Sequence, residues 1–292
     1  MSVKERKSAP SILYLAVKIF GLLSLCFALL WILDYSKILG VSQTTYSIDN
    51  NGEIRETKNA SKTLPRDNVV TLRENELKEE QQKEQFKKNL KNEKTVYLTF
   101  DDGPTPSTEK AIEILDRHQI QATFFMLEPN MRKYEDTVEK LHTKGHTLGL
   151  HGVSHDQKKF YASTTSVINE MNVANQTLEK ITGIRSSLVR TPFGSKPNLS
   201  DSQAQALTYS GFTYWDWNVD SFDWRYRNSQ YVDEVLEQVK TTEKDFPEQP
   251  IVILMHDRAE TVQSLNLLIT LLKDQGYKFG KIQDGMEPVH LH

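Results

Sequence analysis

From Thr95 onward, short apolar runs alternate with longer segments whose apolar positions recur at helical spacing. The short runs predict strands and the longer segments predict amphipathic helices. The predicted strands are Val96–Phe100, Ala122–Met126, Thr147–Leu150, Leu188–Thr191, Phe212–Val219 and Ile251–Met255. The predicted helices lie near Ser107–His118, Ser166–Ile181, Ser200–Ser210, Tyr231–Thr241 and Val262–Gln275.

This alternation is typical of βα units built around a parallel sheet. We therefore expect an α/β fold, a distorted (β/α) barrel with about seven parallel strands. An open doubly wound sheet is the alternative. In both architectures ligands bind at the carboxyl ends of the strands, so unusual polar residues at those ends are the first candidates for chemistry.

The amino-terminal part has a different pattern, with an apolar segment of 22 residues from Ile12 to Leu33. At about 1.5 Å per residue, such a helix is long enough to cross a bilayer. Lys4, Arg6 and Lys7 precede it, and basic residues favour the cytoplasmic side. The sequence predicts a cytoplasmic tail at 1–11, a transmembrane signal-anchor at 12–33, and the rest of the chain outside the cytoplasmic membrane.

Two other readings of this segment are disfavoured. A cleaved signal peptide needs small residues at its cleavage site, and Leu30–Asp34 offers none. A lipoprotein signal at Cys26 is disfavoured by the bulky Leu25 before it and by the apolar run that continues beyond it. Because Cys26 is the single cysteine, an internal disulfide and a cysteine-based metal site are excluded.

Residues 34–92 are polar and predict a solvated stalk between the anchor and a catalytic domain at 93–285. A turn is expected at Asp49–Gly52, and a run rich in Glu, Lys, Gln and Asn from Glu74 to Lys94 predicts helical character. The net charge of −3 over 292 residues gives no indication of nucleic-acid binding. We expect a monomer with no nucleic-acid partner.

The first candidate site is the acidic pair Asp101 and Asp102, which follows a predicted strand and precedes the turn residues Gly103 and Pro104. Neighbouring side chains on a strand point in opposite directions. One carboxylate can therefore hold a metal while the other faces a substrate. Taken alone, the pair more often caps the next helix than serves in catalysis.

His151 and His155 follow another predicted strand, four residues apart. This spacing predicts two imidazoles on one face of a helical turn, where both can reach one ion. With Asp102 as third ligand, coordination positions stay open, as in catalytic sites for metals such as zinc. His142 and His146 have the same spacing but follow no strand, so they are expected to be surface or helix-end residues.

Arg190 also stands at a predicted strand end. It is either a surface cation or a partner that holds Asp101 ionised and oriented. Pro192 stiffens the following loop, which leaves the backbone N–H of Phe193 available as an oxyanion donor.

His256 ends the last predicted strand abruptly. It either caps that strand or acts as a general acid, provided that a carboxylate such as Asp223 raises its pKa. Trp215 and Trp217 share one strand face and are expected in the core. Trp224 lies past the strand end, where its ring could form an apolar wall.

Five motifs together resemble the polysaccharide deacetylases, carbohydrate esterase family 4, in order and approximate spacing. The similarity covers residues 95 to about 280 and is closest to extracytoplasmic bacterial members that act on peptidoglycan. The fold of that family is a distorted barrel of βα units. The matching motifs are Thr99-Phe100-Asp101-Asp102-Gly103, His151-x-x-x-His155, Arg190-x-Pro192-Phe193, Asp220-Ser221-x-Asp223-Trp224 and Leu254-x-His256.

The resemblance implies that Asp101 is the general base and that Arg190 tethers it. It implies that Asp102, His151 and His155 are the three metal ligands. It also implies that Asp223 and His256 form a carboxylate–histidine pair with the histidine as general acid, and that Trp224 is a wall of the acetyl pocket. The implied cofactor is a divalent metal, Zn²⁺, with Co²⁺, Ni²⁺ or Fe²⁺ as alternatives. Three positions depart from the family pattern: Gly152 replaces Ser or Thr, Thr191 replaces Pro, and Phe193 replaces Tyr.

The expected function is metal-dependent removal of N-acetyl groups from a cell-wall polysaccharide, with peptidoglycan N-acetylglucosamine as substrate. The alternatives are a chitooligosaccharide or exopolysaccharide deacetylase, a xylan O-acetyl esterase, and an inactive wall-glycan-binding protein. A membrane-anchored protein that binds partners through its stalk is the remaining alternative.

Overall fold

The computed structural model describes residues 44–48, 54–58 and 94–291. The chain divides into two compact units, residues 1–77 and 78–292. In the first unit, β1 (Thr44–Ile48) pairs antiparallel with β2 (Ile54–Lys58), which the sequence analysis did not predict. The predicted signal-anchor at 12–33 and the predicted helical run of the stalk lie outside the described residues. Within the part of the chain that the structure does describe, no helix is both long and apolar enough to span a bilayer.

The second unit is built on one curled, fully parallel sheet. Seven of its strands form a continuous path in the order β7-β6-β5-β4-β3-β9-β8, and β10 pairs with the first half of β3. This half-barrel confirms the predicted α/β fold and the count of about seven strands. The strands are β3 (Thr95–Asp101), β4 (Thr123–Met126), β5 (Thr147–Leu150), β6 (Leu188–Val189), β7 (Thr213–Tyr214), β8 (Val219–Asp220), β9 (Ile251–His256) and β10 (Lys278–Gly280).

The predicted single strand Phe212–Val219 is wrong, because the structure breaks it into β7 and β8. These two strands lie at opposite ends of the sheet path. The intervening backbone must therefore cross from one end to the other. A backbone hydrogen bond holds this segment at each end of the crossing. The Trp215 N–H donates to the Val189 carbonyl at 2.9 Å, and the Asn218 N–H donates to the Val252 carbonyl at 3.2 Å.

The helices pack on the outside of the sheet, and the five predicted ones are present within a few residues of their expected bounds. Four further helices, at 128–133, 135–143, 157–160 and 223–226, were not predicted. The helices are α1 (Thr108–His118), α2 (Glu128–Lys133), α3 (Glu135–Thr143), α4 (Gln157–Phe160), α5 (Thr164–Thr182), α6 (Asp201–Tyr209), α7 (Asp223–Tyr226), α8 (Gln230–Asp245) and α9 (Ala259–Asp274). Helix α5 begins with a reciprocal capping box between Ser163 and Ser166 and ends at Gly183 in a left-handed conformation.

Alternation along the strands divides the core into two clusters. On β3, Val96 and Leu98 join the large cluster beneath the helices, whereas Tyr97 joins a smaller cluster inside the curl. Thr99 and Asp101 continue the inward series of Tyr97 and are buried polar residues. A β-strand thus delivers a carboxylate to the inside of the barrel at its carboxyl end.

The last residues of the chain also belong to this interior. Met286 and Val289 are buried in the inner cluster, beyond the predicted domain limit at residue 285. The buried carboxylate of Asp216 accepts hydrogen bonds from the Leu291 N–H at 3.0 Å and from the Ser195 N–H at 2.8 Å. Asp216 therefore joins the carboxyl-terminal segment to the loop that follows β6.

Candidate active site

The structure brings Asp101 and Arg190 together as a buried ion pair. Arg190 Nη1 lies 2.9 Å from Asp101 Oδ1. The same guanidinium donates to Thr99 Oγ1 and to the carbonyls of Trp215 and Asp216, and its Cζ lies 4.3 Å from the ring centre of Phe125. Arg190 has no exposed surface. Because its donors are engaged on several elements, it holds Asp101 in one orientation.

Asp102 leaves the strand through a left-handed backbone with φ of 71°. The turn that follows is attached to the end of β9 by Asp257. Thr105 Oγ1 donates to the Asp257 carbonyl at 2.6 Å, and Thr108 Oγ1 donates to its carboxylate. A side chain at Gly103 would overlap that carboxylate, so the close approach requires glycine here.

Asp102, His151 and His155 form one cluster, with one ligand atom from each within 4.8 Å of the others. Asp102 Oδ1 lies 3.2 Å from His155 Nε2 and 3.5 Å from His151 Nε2. His151 Nδ1 lies 2.8 Å from the Arg190 carbonyl, which fixes the proton on Nδ1 and leaves the Nε2 lone pair facing the cluster.

This donor set fits a divalent metal. Asp102 Oδ1 is buried and has no hydrogen-bond partner among the described residues, as expected of an atom that serves as a ligand. Burial raises the pKa of Asp102, but the neighbouring His151, His256 and His155 and the guanidinium of Arg258 outweigh it and hold that pKa below its usual value. Burial lowers the pKa of His155, which favours the neutral imidazole that ligates metals.

The predicted helical turn between the two histidines is wrong. Residues 151–156 form an irregular loop, with His155 at a φ of 44° and Gly152 at a φ of 87°. Glu170, on α5, holds this loop from behind. Its Oε2 accepts the N–H groups of Val153 and Ser154, both at 2.9 Å, and its Oε1 accepts the Ser154 hydroxyl at 2.7 Å.

Gly152, one of the departures from the family pattern, fits this arrangement. A Cβ there would approach Glu170 Oε2 and the Phe160 ring at 3.1 Å, on a backbone that favours glycine. The hydroxyl that the family pattern places at this position is absent, and the Glu170 carboxylate supplies the loop contacts instead.

His256 and Asp223 lie in direct contact, with His256 Nδ1 2.8 Å from Asp223 Oδ1. The other oxygen of Asp223 accepts the His256 N–H at 2.7 Å and the Thr261 hydroxyl at 2.6 Å. Burial lowers the pKa of His256, but the hydrogen bond and charge of Asp223 outweigh burial and raise it. This imidazole is therefore suited to carry a proton near neutral pH.

A cavity of about 460 Å³ opens above these groups. Phe193 and Trp224, 51% and 46% exposed, form two of its walls, and the Phe193 ring lies 4.6 Å from that of His155. The Phe193 N–H donates to no acceptor within residues 94–291 as described. Exposed aromatic rings beside a polar floor are typical of sugar-binding clefts.

Trp215 is fully buried as expected, whereas Trp217 lines the cavity and packs only partly on the inner cluster. His142 lies in the last turn of α3, as expected. His146 is buried rather than exposed, and its Nδ1 accepts the Ala122 N–H at 3.1 Å. Burial lowers the pKa of His146 to about 4, so it is a neutral core residue away from the site.

Comparison with known proteins agrees with this geometry. A sequence model described as polysaccharide deacetylase matches residues 88–214. YheN of Bacillus subtilis, provisionally named a polysaccharide deacetylase, is 43% identical over 289 residues, covering 97% of this chain and 98% of the relative. The chain belongs to the polysaccharide deacetylase family. It is a hydrolase that removes acetyl groups.

Other relatives and solved structures of this family are similar to the deacetylase. A peptidoglycan-N-acetylglucosamine deacetylase of Bacillus cereus is 34% identical over 228 residues, covering 76% of this chain and 82% of the relative. The crystal structure of the polysaccharide deacetylase Bc1974 of Bacillus cereus matches with a TM-score of 0.60 and 34% identity, covering 68% of this chain and 96% of that one. The catalytic domain of a peptidoglycan N-acetylglucosamine deacetylase of Eubacterium rectale matches with a TM-score of 0.61 and 27% identity, covering 68% and 93%.

Sequence reasoning missed several residues that shape the site of the deacetylase. Arg258 and Asp257 follow His256 at the end of β9, so the strand-end argument applied to Asp101 could have found them. Glu170 lies in the middle of a long helix and faces the site from behind its loop. Nothing in the local sequence distinguishes it from other charged helix residues.

Proposed function

We propose that this deacetylase removes the N-acetyl group of N-acetylglucosamine in peptidoglycan, with a zinc ion held by Asp102, His151 and His155. The substrate is supported by the similarity to peptidoglycan deacetylases of Bacillus cereus and Eubacterium rectale, at 34% and 27% identity. Zinc is supported by the ligand types, one carboxylate and two imidazoles, which leave positions open. Co²⁺, Ni²⁺ and Fe²⁺ are the alternatives that metal replacement would test.

The observation that carries the proposal is the separation of two adjacent carboxylates into different partnerships. Asp101 pairs with Arg190, and Asp102 lies with the two histidines. A bound divalent metal would polarise the acetamide carbonyl and lower the pKa of the attacking water. Asp101 then accepts the proton of that water as general base.

The remaining groups have roles at defined atoms. The Phe193 N–H donates to the oxyanion that develops on the acetyl carbonyl. His256, held protonated by Asp223, donates a proton to the departing amine. Trp224 and Leu254 line the cavity and form an apolar wall for the acetyl methyl group. The products are acetate and a free amino sugar.

The decisive experiment is mass spectrometry of muropeptides, together with an acetate assay, after incubation of purified peptidoglycan with the zinc-loaded full-length chain. We expect acetate release and loss of acetyl from N-acetylglucosamine. Acetyl loss from N-acetylmuramic acid, from chitooligosaccharides or from acetylated xylan instead would overturn the proposed substrate. Glycan binding without acetate release would favour the inactive wall-glycan-binding alternative.

We further propose that residues 12–33 anchor the chain, with its tail at 1–11 in the cytoplasm and the catalytic domain as a monomer on the wall side. The apolar run and the preceding basic residues support this topology. Protease added to intact spheroplasts should digest the catalytic domain, and the chain should fractionate with membranes. Protection of the domain, or its recovery in the cytosol, would overturn the topology. Deletion of residues 40–90 should leave acetate release intact if the stalk is a spacer.

A further inference from the structure

Arg258 stands at the rim of the cavity and is the one Lys or Arg among the described residues that line it. It follows His256 and Asp257 at the end of β9, and its side chain is 40% exposed. The other arginine near the site, Arg190, is fully buried and engaged with Asp101 and backbone carbonyls. Arg258 is therefore the cation that a molecule entering the cavity meets.

Within the protein, Arg258 contacts the carboxylate of Asp102, which is a proposed metal ligand. Its Nη2 lies 3.3 Å from Asp102 Oδ2, a long single contact. Arg258 contacts Oδ2, whereas Oδ1 faces His151 and His155, and the positive charges of the guanidinium and of a bound divalent metal would repel each other. The other carboxylates that line the cavity have their own partners, because Asp101 pairs with Arg190 and Asp220 accepts the Phe222 N–H.

We infer that Arg258 binds a carboxylate of the substrate, so that the site prefers an acidic glycan over a neutral one. This inference rests on the proposed function and refines its substrate class. In peptidoglycan the sugar next to N-acetylglucosamine carries a lactyl group, whose carboxylate is free where the stem peptide is absent; where the peptide is present, the peptide carries carboxylates of its own. Chitooligosaccharides carry none. The planar guanidinium offers paired donors that match a carboxylate, and the exposed part of Arg258 can present them to the cavity.

The test compares two forms of one peptide-free peptidoglycan oligosaccharide, with its lactyl carboxylates free or methyl-esterified. The ratio of kcat/KM for the acidic over the esterified form is measured for wild type, Arg258→Gln and Arg258→Lys. Arg185→Gln is the matched control, since Arg185 is also an exposed arginine paired with an acidic residue, Glu179. We expect the ratio to fall about tenfold in Arg258→Gln, less in Arg258→Lys, and not in the control.

Two further measurements make the result unambiguous. Zinc affinity, measured by competition with a chelator, should be equal or higher in Arg258→Gln, because a positive charge that repels the metal is removed. Calorimetric binding of the fully de-N-acetylated oligosaccharides, which the enzyme does not turn over, should reproduce the preference for free carboxylates. An unchanged ratio, or a tenfold loss of zinc affinity, would overturn the role of Arg258. Absence of acetate release from either form by wild type would instead count against the proposed function, and the binding preference would then still decide the role of Arg258.

Discussion

The base side of the cavity, formed by Asp101 and Arg190, is held by a different kind of structure from the metal side, where His151 and His155 lie. Asp101 ends a central strand, and Arg190 donates to atoms on several elements of the barrel interior. His155 stands instead on an irregular loop with left-handed residues, fixed from behind by the carboxylate of Glu170. The base side therefore depends on the sheet, whereas on the metal side the loop that carries His155 depends on one helix-borne side chain, Glu170.

This difference implies separate failure modes for the two sides. A change on the base side affects proton transfer and the stability of the buried ion pair together. A change on the metal side affects occupancy of the site and leaves most of the core intact. Single substitutions on each side test whether the two sides fail separately.

Replacement of Asp101 by Asn should lower kcat about 1,000-fold, because the proposed general base is lost, while zinc affinity changes little. It should also cost about 3 kcal/mol of unfolding free energy, since Arg190 keeps a buried charge without its carboxylate. Acetate release, zinc content and urea denaturation measure the three quantities. Retention of wild-type kcat in the folded variant would refute Asp101 as the base.

Replacement of His155 by Ala should lower zinc affinity more than about 100-fold, because a proposed ligand is removed. The unfolding free energy of the metal-free protein should change by less than about 1 kcal/mol, since His155 is partly exposed on a loop. Chelator competition measures the affinity. Unchanged zinc binding would contradict the ligand set, and His142→Ala serves as the control histidine because it lies at a helix end away from the site.

Replacement of Glu170 by Ala should lower zinc affinity about tenfold, because the loop between the two histidines loses its three hydrogen bonds. Glu170→Gln should retain most of the affinity, since its amide oxygen can still accept the loop N–H groups. Glu179→Ala is the matched control on the same helix, because Glu179 pairs with the exposed Arg185 and not with the loop of the two histidines. Wild-type zinc affinity in Glu170→Ala would show that the loop keeps its conformation without the Glu170 hydrogen bonds.

Asp257 attaches the turn after Asp102 to the end of β9, and replacing it by Asn should change how the unfolding free energy depends on pH. Burial raises the pKa of Asp257 to about 6, so the folded state favours its protonated form. The stability contributed by this proton is fully present below pH about 4 and is lost as pH rises through about 6. Between pH 4 and 7, wild type should lose on the order of 2 kcal/mol relative to Asp257→Asn. Urea denaturation of both proteins at pH 4 and pH 7 measures this change. The same difference in unfolding free energy between the two proteins at both pH values would contradict the raised pKa.

Much of the fold follows from the sequence, because apolar runs and helical periodicity are local signals. The strands that end at Asp101 and His256 and just before His151 were located correctly, and their parallel arrangement places these residues at one edge. The break between β7 and β8 was missed because it depends on where the sheet ends, which is a property of the tertiary structure. Short helices such as α4 and α7 carry too few residues for a clear period.

The distinction between local sequence signals and tertiary contacts also applies to the site. Asp102, His151 and His155 lie together in the structure, as the strand-end motifs suggested. Their loop geometry was predicted wrongly, because His-x-x-x-His spacing fits a helix but left-handed residues at Gly152 and His155 give the loop another course. The contact of Glu170 with this loop joins residues 16 and 17 positions apart through side chain to backbone, and no local pattern encodes it.

Asp216 joins the carboxyl-terminal segment to the loop after β6, and this has a practical consequence for where the protein can be truncated. A truncation after β10, the last strand, would retain Asp101, Asp102 and every candidate ligand. It would nevertheless remove Met286 and Val289 from the barrel interior, and the Leu291 N–H from the carboxylate that also holds Ser195. The loop bearing Phe193 would lose support from a segment that contributes no reacting group. Protease trimming at this end should therefore first alter how the cavity holds a sugar ring, well before it unfolds the sheet.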